Sequence, residues 1–155
     1  MPHSYTCLKC HIIFGTKYRL STITPELEPD LYAYIGAIIR EKESRMIEIG
    51  GTENHIHILV GLHQSRSVSS LVCAVKASSS SFGKERSANP AFAWQSGYAA
   101  FAVSESQVPK VREYIRRQKE HHRKTTYEQE VREICRRHGI VIDESFFEDD
   151  PQTHC

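Results

Sequence analysis

The 155-residue sequence contains no long hydrophobic run, and its apolar segments are far shorter than the roughly 20 residues of a membrane-spanning helix. Its first ten residues, MPHSYTCLKC, lack the basic and apolar regions of a secretory signal peptide. The five cysteines are odd in number and have no disulfide-framework spacing, which predicts free thiols in a reducing compartment. Together, these absences predict a cytoplasmic protein that does not bind membranes.

An excess of charge of one sign is also missing. The net charge is only +1, from 20 Lys and Arg against 19 Asp and Glu. This balance does not exclude nucleic acid, because clustering of basic residues matters more than the total. The acidic residues are concentrated near the end, in DESFFEDDPQ. We therefore predict one domain over residues 1–147, distinctly basic in its body, and an acidic, flexible tail over residues 148–155.

Hydrophobic periodicity predicts a mixed succession of strands and helices. Period-2 or β-rich segments predict strands at residues 5–14, 45–49, 55–62 and 98–103. Apolar residues at helical spacing predict helices at residues 26–44, 68–82, 104–124 and 127–138. The order β-α-β-β-α-β-α-α predicts an α+β fold: a ferredoxin-like or RRM-like antiparallel sheet with additional C-terminal helices.

The stretch ENHIHILV, residues 53–60, begins a predicted strand with two histidines. Residues i and i+2 of a strand point to the same face, so His55 and His57 project together. Two adjacent imidazoles suit a divalent cation. The alternative is a pair of half-exposed polar residues at a strand start, and the pair alone does not decide between them.

A second motif, VREYIRRQ, lies within the predicted third helix. Tyr114 and Gln118 are four residues apart and so share one helix face. Gln118 offers a neutral oxygen ligand. Tyr114 offers a phenol that can attack phosphorus, but with a pKa of about 10 it needs help to lose its proton at neutral pH. A core tyrosine beside a surface glutamine is the alternative. Taken with His55 and His57, the two residues complete a set for metal-assisted phosphodiester cleavage.

These motifs resemble those of the single-tyrosine HUH transposases, the TnpA-like enzymes of the insertion sequence 200/605 class and their repeat-associated relatives. The resemblance extends over about residues 3–147 and includes these segments: Thr16-Lys17-Tyr18-Arg19, Gly50-Gly51, His55-Ile56-His57, Trp94-Gln95-Ser96-Gly97-Tyr98, Phe101-Ala102-Val103-Ser104, Tyr114-xxx-Gln118 and His121-His122.

The resemblance implies an endonuclease and strand transferase acting on single-stranded DNA, with hairpins recognised at element ends. It implies Mg or Mn as the cofactor, bound by His55, His57 and Gln118. It also implies that Tyr114 is the catalytic nucleophile and forms a 5′-phosphotyrosine intermediate. The expected assembly is a homodimer, in which Tyr114 can act in trans.

Basic residues are the candidates for DNA contact, with a solvated surface as the alternative for each. They are Lys17, Arg19, Lys76, Lys84, Arg86, Arg116, Arg117 and His122. Trp94 and Tyr98 can stack on bases or belong to the core. His11 follows the pair Cys7 and Cys10, but a haem or zinc site is disfavoured because residues i and i+3 of a strand face opposite sides.

Three other functions are compatible with the same sequence. One is a domesticated nickase that processes chromosomal repeats by the same chemistry. Another is a non-catalytic RRM-like nucleic-acid-binding module, although its aromatic sheet signature is not evident. The third is a metal-dependent hydrolase of small phosphoesters. Covalent capture of DNA by Tyr114 distinguishes the transposase chemistry from the last two.

Overall fold

The computed structural model describes residues 3–149. Its strands are β1 (Lys9–Gly15), β2 (Arg45–Gly51), β3 (His55–Gly61) and β4 (Ala99–Ala102). They form one antiparallel sheet in the order β2-β3-β1-β4. The helices are α1 (Glu28–Glu41), α2 (Val68–Ser87), α3 (Val108–Arg116), α4 (Gln118–His121) and α5 (Tyr127–Arg137). The predicted fold class is confirmed.

One face of the sheet carries the larger hydrophobic core. Alternate residues of β1, Cys10, Ile12 and Phe14, point into it because strand side chains alternate between faces. Helices α1 and α2 cover this face with a buried apolar stripe that includes Leu31, Ile35, Leu71 and Val75. Trp94 also belongs here, packed edge-on against Phe14, so its core reading is correct.

The opposite face carries a smaller core and, beside it, the histidines. Ile13 and Phe101 of the sheet pack against Tyr127, Val131 and Cys135 of α5. A capping box between Thr126 and Gln129 fixes the start of α5. The sheet and α5 therefore enclose a narrow layer in which polar side chains from both can meet.

The predicted helix over residues 104–124 is divided. A 3₁₀ turn (Glu105–Gln107) precedes α3, and the helix is interrupted at Arg117, whose φ of −94° and ψ of 16° leave the helical region. Ser104, at the start of the predicted helix, makes no side-chain capping hydrogen bond. Tyr114 and Gln118 consequently lie on two successive helices, and the break sets their relative orientation.

The predicted boundary between the domain and a flexible tail falls within a packed segment. Asp149 forms an ion pair with Arg19, and only 2% of the Asp149 side chain is exposed. Residues 150–155, the rest of the predicted tail, lie outside the described residues. Among the described residues, Cys7, Cys10 and Cys135 are free thiols. Among the described helices, none has the length and apolar character needed to cross a membrane.

Candidate metal centre and nucleophile

His55 and His57 lie on β3, an interior strand, and both are fully buried. His57 is opposite Ile13 of β1 and Gly50 of β2. A Cβ at Gly50 would lie 2.5 Å from the carbonyl oxygen of Ile115, so only glycine lets α3 pack this closely on the sheet. The close packing brings the tyrosine-bearing helix against the histidine pair.

The protonation of His55 is fixed by its neighbours. Its Nδ1 lies 2.8 Å from Asn54 Oδ1 and 2.9 Å from Thr52 Oγ1, so Nδ1 carries the proton. The lone pair is then on Nε2, which lies 3.1 Å from the side-chain oxygen of Gln118. Two acceptor atoms that face each other in this way have no proton to share.

His122 repeats the arrangement. Its Nδ1 donates to the carbonyl oxygen of Thr125 at 2.6 Å, which leaves the lone pair on Nε2. That nitrogen lies 2.9 Å from Gln118 Oε1 and 3.0 Å from Glu130 Oε1. The sequence predicted His122 as a candidate DNA contact. The structure instead aims its Nε2 into the buried cluster, because the turn after α4 folds back over the site.

Glu130 is the residue that sequence reasoning missed. It is 2% exposed, and its Oε1 lies 2.9 Å from His57 Nε2. Its Oε2 accepts a hydrogen bond from Gln118 Nε2 at 2.9 Å. The candidate ligand atoms of His55, His57, His122 and Glu130 all lie within 4.8 Å of one another. These four residues, with Gln118, are called the donor cluster below.

The donor cluster fits a cation on the chemistry of its atoms. At least His55 Nε2, His122 Nε2 and Gln118 Oε1 present lone pairs towards one another, and a carboxylate oxygen lies among them. Such a concentration of buried acceptors is costly unless a positive charge lies among them. Imidazole, carboxamide and carboxylate ligands suit divalent metals from Mg and Mn to Zn. The protein therefore has a candidate metal centre on this face of the sheet.

The pKa values follow from burial and from the mutual contacts. Burial lowers the pKa of His55 to about 4, against the raising effect of the nearby Glu130 carboxylate. Burial would raise the pKa of Glu130, but the charge of His57 and the close approach of the His122, His55 and His57 ring nitrogens outweigh it and lower the pKa well below its ordinary value. The carboxylate is therefore ionised and available as a ligand.

Tyr114 lies at the edge of the donor cluster. Its hydroxyl donates a hydrogen bond to Glu130 Oε2, and its ring lies edge-on to that of His57 with centroids 5.8 Å apart. Burial, followed by the charge of Glu130, raises the pKa of Tyr114 above its ordinary value. The phenol is consequently neutral, and it becomes a nucleophile only when its proton is removed.

His11 supports the cluster from the neighbouring strand. Its Nε2 lies 2.8 Å from His57 Nδ1, the nitrogen that faces away from Glu130. Burial, and then the charge of His57, lowers the pKa of His11 to about 3. A neutral His11 can accept a hydrogen bond from the His57 Nδ1–H, which leaves the His57 Nε2 lone pair directed towards the site.

The basic residues that the sequence proposed for DNA contact differ in their exposure and in their ion pairs. Lys84, Arg86, Arg116 and Arg117 are exposed; Arg86 pairs with Asp30, Arg116 with Glu48 and Arg117 with Glu113. Lys17 and Arg19 are half-buried after β1. Lys76, which the sequence proposed as a DNA contact, does not lie on the surface. It is 3% exposed, and its ammonium donates to the carbonyl oxygens of Gln95 and Gly97. Its charge is thus used to hold a loop.

Two clefts flank the donor cluster. One, of about 1310 Å³, is bordered by β4, α3 and α5 and is lined by His11, Tyr114, His121 and Glu130. The other, of about 580 Å³, is lined by Asn54, His122 and Tyr127 and by the cations Lys119, Arg123 and Lys124. Tyr114 and Glu130 therefore border the larger cleft, whereas His122 borders the smaller one.

The fold and site define an α+β protein with helices on both faces of its sheet, a buried His/Glu/Gln cluster and a tyrosine in contact with that cluster. Residues 4–118 match the family described as "Transposase IS200 like", which is more than half of the chain. The chain therefore belongs to the IS200-like transposase family, as the sequence motifs predicted. The match contains His55, His57, Tyr114 and Gln118 and ends before His122 and Glu130.

Two solved structures share the fold. One, a protein of Deinococcus radiodurans R1 proposed to be a transposase, is 20% identical with a TM-score of 0.62, covering 76% of this chain and 95% of its own. The other, a REP-associated tyrosine transposase bound to a REP hairpin, is 14% identical with a TM-score of 0.60, covering 79% and 73%. No curated protein matches the chain.

Proposed function

We propose that this transposase cleaves and rejoins single-stranded DNA with the help of a divalent metal, through a 5′-phosphotyrosine intermediate on Tyr114. The observation that carries the proposal is the hydrogen bond from the Tyr114 hydroxyl to Glu130, within a cluster of candidate metal ligands. A nucleophile must lie beside a bound phosphate, and this contact holds the phenol next to the candidate ligands.

The metal is proposed to be held by His55, His57 and Gln118, the residues expected from the sequence, together with His122 and Glu130. When bound, Mg or Mn would polarise a phosphodiester and stabilise its developing negative charge. The chain contributes the orientation of its ligands: Asn54 and Thr52 hold His55, Thr125 holds His122, and His11 holds His57. Second contacts of this kind raise metal affinity by fixing each ring.

In the proposed step, Tyr114 attacks the phosphorus of a DNA strand. Glu130 Oε2, which accepts the hydrogen bond from the phenol, is in position to take its proton. The bond between the Tyr114 oxygen and phosphorus forms, the bond from phosphorus to the 3′ oxygen breaks, and a 3′-hydroxyl is released. Attack by another 3′-hydroxyl on the phosphotyrosine reverses the sequence and joins two strands, with the phosphate bond retained throughout.

Single-stranded DNA, with hairpins at the element ends, is the proposed partner. Arg123 and Lys124 at the smaller cleft support a phosphate-bearing ligand beside the metal centre, whereas Lys119 of the same cleft is paired with Glu28. The structurally similar REP-associated transposase supports the same class of partner, since that protein was solved with a hairpin. Lys17, Arg19, Lys84, Arg86, Arg116 and Arg117 remain proposed DNA contacts.

A homodimer is proposed as the working assembly. Tyr114 nevertheless reaches Glu130 within one chain, so the chemistry can be completed without a partner's tyrosine. We also propose a cytoplasmic location, where chromosomal single strands are accessible.

Covalent capture tests the proposal. The full chain is incubated with 5′- and 3′-labelled single-stranded DNA and Mn²⁺, and a denaturing gel is examined for a protein–DNA band. We expect the band with the wild type and none with Tyr114→Phe. Tyr34→Phe is the matched control, because Tyr34 stacks on Phe82 on the other face of the sheet. A band of undiminished intensity with Tyr114→Phe would exclude Tyr114 as the nucleophile.

A further inference from the structure

The carboxylate of Asp149 lies in a pocket made of hydrogen-bond donors. Its Oδ2 accepts from the backbone N–H of Tyr18 at 2.6 Å and from Arg19 Nη2 at 2.9 Å. Its Oδ1 accepts from the backbone N–H of Ser96 at 3.3 Å. Two main-chain amides and a guanidinium around one anion are the contacts that proteins use for phosphate.

The pocket is constructed from two loops that are each held in place. Tyr18 and Arg19, after β1, both have positive φ, at 57° and 55°, which is uncommon for residues with a side chain. The second loop carries Ser96, and the buried Lys76 fixes it by donating to the carbonyl oxygens of Gln95 and Gly97. The first loop is held by the Lys17 N–H, which donates to the Ala93 carbonyl oxygen at 2.8 Å, and by Thr16 Oγ1, which donates to the Leu20 carbonyl oxygen at 2.6 Å. Both loops therefore have contacts other than Asp149 that position the donors.

Asp149 leaves part of the donor capacity unused. Arg19 is largely buried, with 15% of its side chain exposed, and its Nη1 has no hydrogen-bond partner among the described residues. Gly15 makes room for this nitrogen, since a Cβ there would lie 2.9 Å from it. A phosphate group has more acceptor oxygens than a carboxylate and can engage the remaining donor.

The position of the pocket suits a nucleotide next to the reacting one. The Arg19 guanidinium lies 5.8 Å from the centre of the Tyr127 ring, which is 4.8 Å from the His55 ring of the donor cluster. The Tyr18 ring is 64% exposed, with the Lys17 ammonium 5.5 Å from its centre. An exposed aromatic ring beside a phosphate pocket can stack a base.

We propose that the pocket formed by the Tyr18 and Ser96 amides and the Arg19 guanidinium binds a phosphate of the DNA strand, and that Asp149 occupies it in the DNA-free chain. The proposal rests on single-stranded DNA as the partner, but not on the metal or on Tyr114. The proposal gives Asp149 of the acidic C-terminal segment a role: its carboxylate competes with DNA for the pocket and must leave when the strand binds.

The test measures binding of a fluorescent single-stranded oligonucleotide by anisotropy, in EDTA and low salt. EDTA removes divalent metals, and all proteins carry Tyr114→Phe, so neither metal binding nor covalent attachment contributes. Asp149→Asn removes the competing charge, and Glu148→Gln, at an exposed neighbour, changes net charge equally. For Asp149→Asn we expect about a tenfold lower Kd. This is the change expected if Asp149 leaves the pocket empty in only about one molecule in ten of the parent protein.

Arg19→Gln completes the comparison. In that background Asp149→Asn should have no larger effect than Glu148→Gln, because the pocket has lost its charged donor. Inorganic phosphate is the second probe: at constant ionic strength it should raise the Tm of Asp149→Asn but not of the Arg19→Gln/Asp149→Asn double variant. Phosphate stabilisation without tighter oligonucleotide binding would identify a free-phosphate site and overturn the DNA assignment.

A solely structural role for Asp149 predicts the opposite pattern. Asp149→Asn would then lower Tm and leave oligonucleotide affinity equal to that of Glu148→Gln. That result, or a tightening that persists in Arg19→Gln, overturns the proposal. Covalent capture is measured separately, so a failure of the Tyr114 chemistry is recognised by a missing gel band while the anisotropy result stands.

Discussion

The hydroxyl of Tyr114 and the carboxylate of Glu130 are joined by a hydrogen bond, although they lie on different helices and on opposite sides of the helix interruption at Arg117. Glu130 also contacts His57, His122 and Gln118. One carboxylate thus links the proposed nucleophile to the proposed metal ligands, which makes it the most sensitive single position in the site.

Glu130→Gln is expected to lower divalent-metal affinity and covalent capture by about 10- to 100-fold, the range typical of losing a coordinating or orienting group. The amide keeps the shape but removes the charge. Isothermal titration with Mn²⁺ measures the first effect and the gel assay the second. Glu128→Gln, an exposed acid on the same helix, is the control. Equal metal affinity for the two variants would contradict a role for Glu130 in the donor cluster.

The sequence predicted the sheet and most of the site, but not this residue. His55, His57, Tyr114 and Gln118 belong to short motifs whose spacing has a direct geometric meaning. Glu130 lies 12 residues after Gln118, across a helix break and a turn. A signal was nevertheless present: with Tyr127, Val131 and Ile134, Glu130 occupies the i, i+3, i+4, i+7 stripe of α5. A lone carboxylate on an apolar stripe needs a buried partner.

The same limit affects Lys76 and His122. The sequence suggested DNA contacts for both, and the spacing of His122 from Gln118 also allowed it to approach the metal, but helical spacing does not show which face a neighbouring loop will cover. Lys76 is covered by the Gln95–Gly97 loop, and His122 is turned inward by the Thr125 carbonyl. Tertiary packing, which a single sequence encodes only indirectly, decided both positions.

The two adjacent histidines after Gln118 provide a matched comparison. His122 Nε2 faces Gln118 and Glu130, whereas His121 Nε2 has no hydrogen-bond partner among the described side chains despite lying 3.3 Å from Glu130 Oε2. We expect His122→Ala to weaken Mn²⁺ binding about 10- to 100-fold and His121→Ala to change it by less. If His121→Ala is the more damaging of the two in titration, the assignment of ligands is wrong.

Gly50 should be intolerant of any side chain. A Cβ there would lie 2.5 Å from the Ile115 carbonyl oxygen, so Gly50→Ala must push α3 away from the sheet. Overpacking of this kind costs about 1–3 kcal/mol, and here it also displaces Tyr114. The free energy of unfolding in urea and the gel assay report the two effects. Gly61→Ala is the control, with its nearest neighbours at 4.0 Å. Equal losses in both variants would contradict this packing argument.

Stability of the metal-free protein should depend on pH. The pKa of His55 is lowered to about 4 and that of His11 to about 3, both chiefly by burial, from an ordinary value of 6.5. Below pH 6.5 the unfolded chain binds protons that the folded chain does not. The free energy of unfolding therefore decreases as the pH is lowered, until the folded-state pKa values are reached. Each group contributes up to about 1.4 kcal/mol per pH unit.

Urea unfolding in EDTA between pH 7 and pH 4.5 measures this slope. His11→Gln should make it shallower by about one proton, whereas His3→Gln, at an exposed position, should not. An unchanged slope in His11→Gln would show that His11 is not a neutral buried group.

Mixing two inactive variants tests whether Tyr114 acts within its own chain. Tyr114→Phe retains the donor cluster, and His57→Ala retains the tyrosine. Because the Tyr114 hydroxyl contacts Glu130 of the same chain, a mixed dimer has no subunit in which both parts are intact. We expect the mixture to give no more covalent product than the two variants measured alone. Restored capture, at a yield that rises with the fraction of mixed dimer, would instead require the tyrosine to enter the partner's site, and the contact with Glu130 would then belong to a resting form of the enzyme.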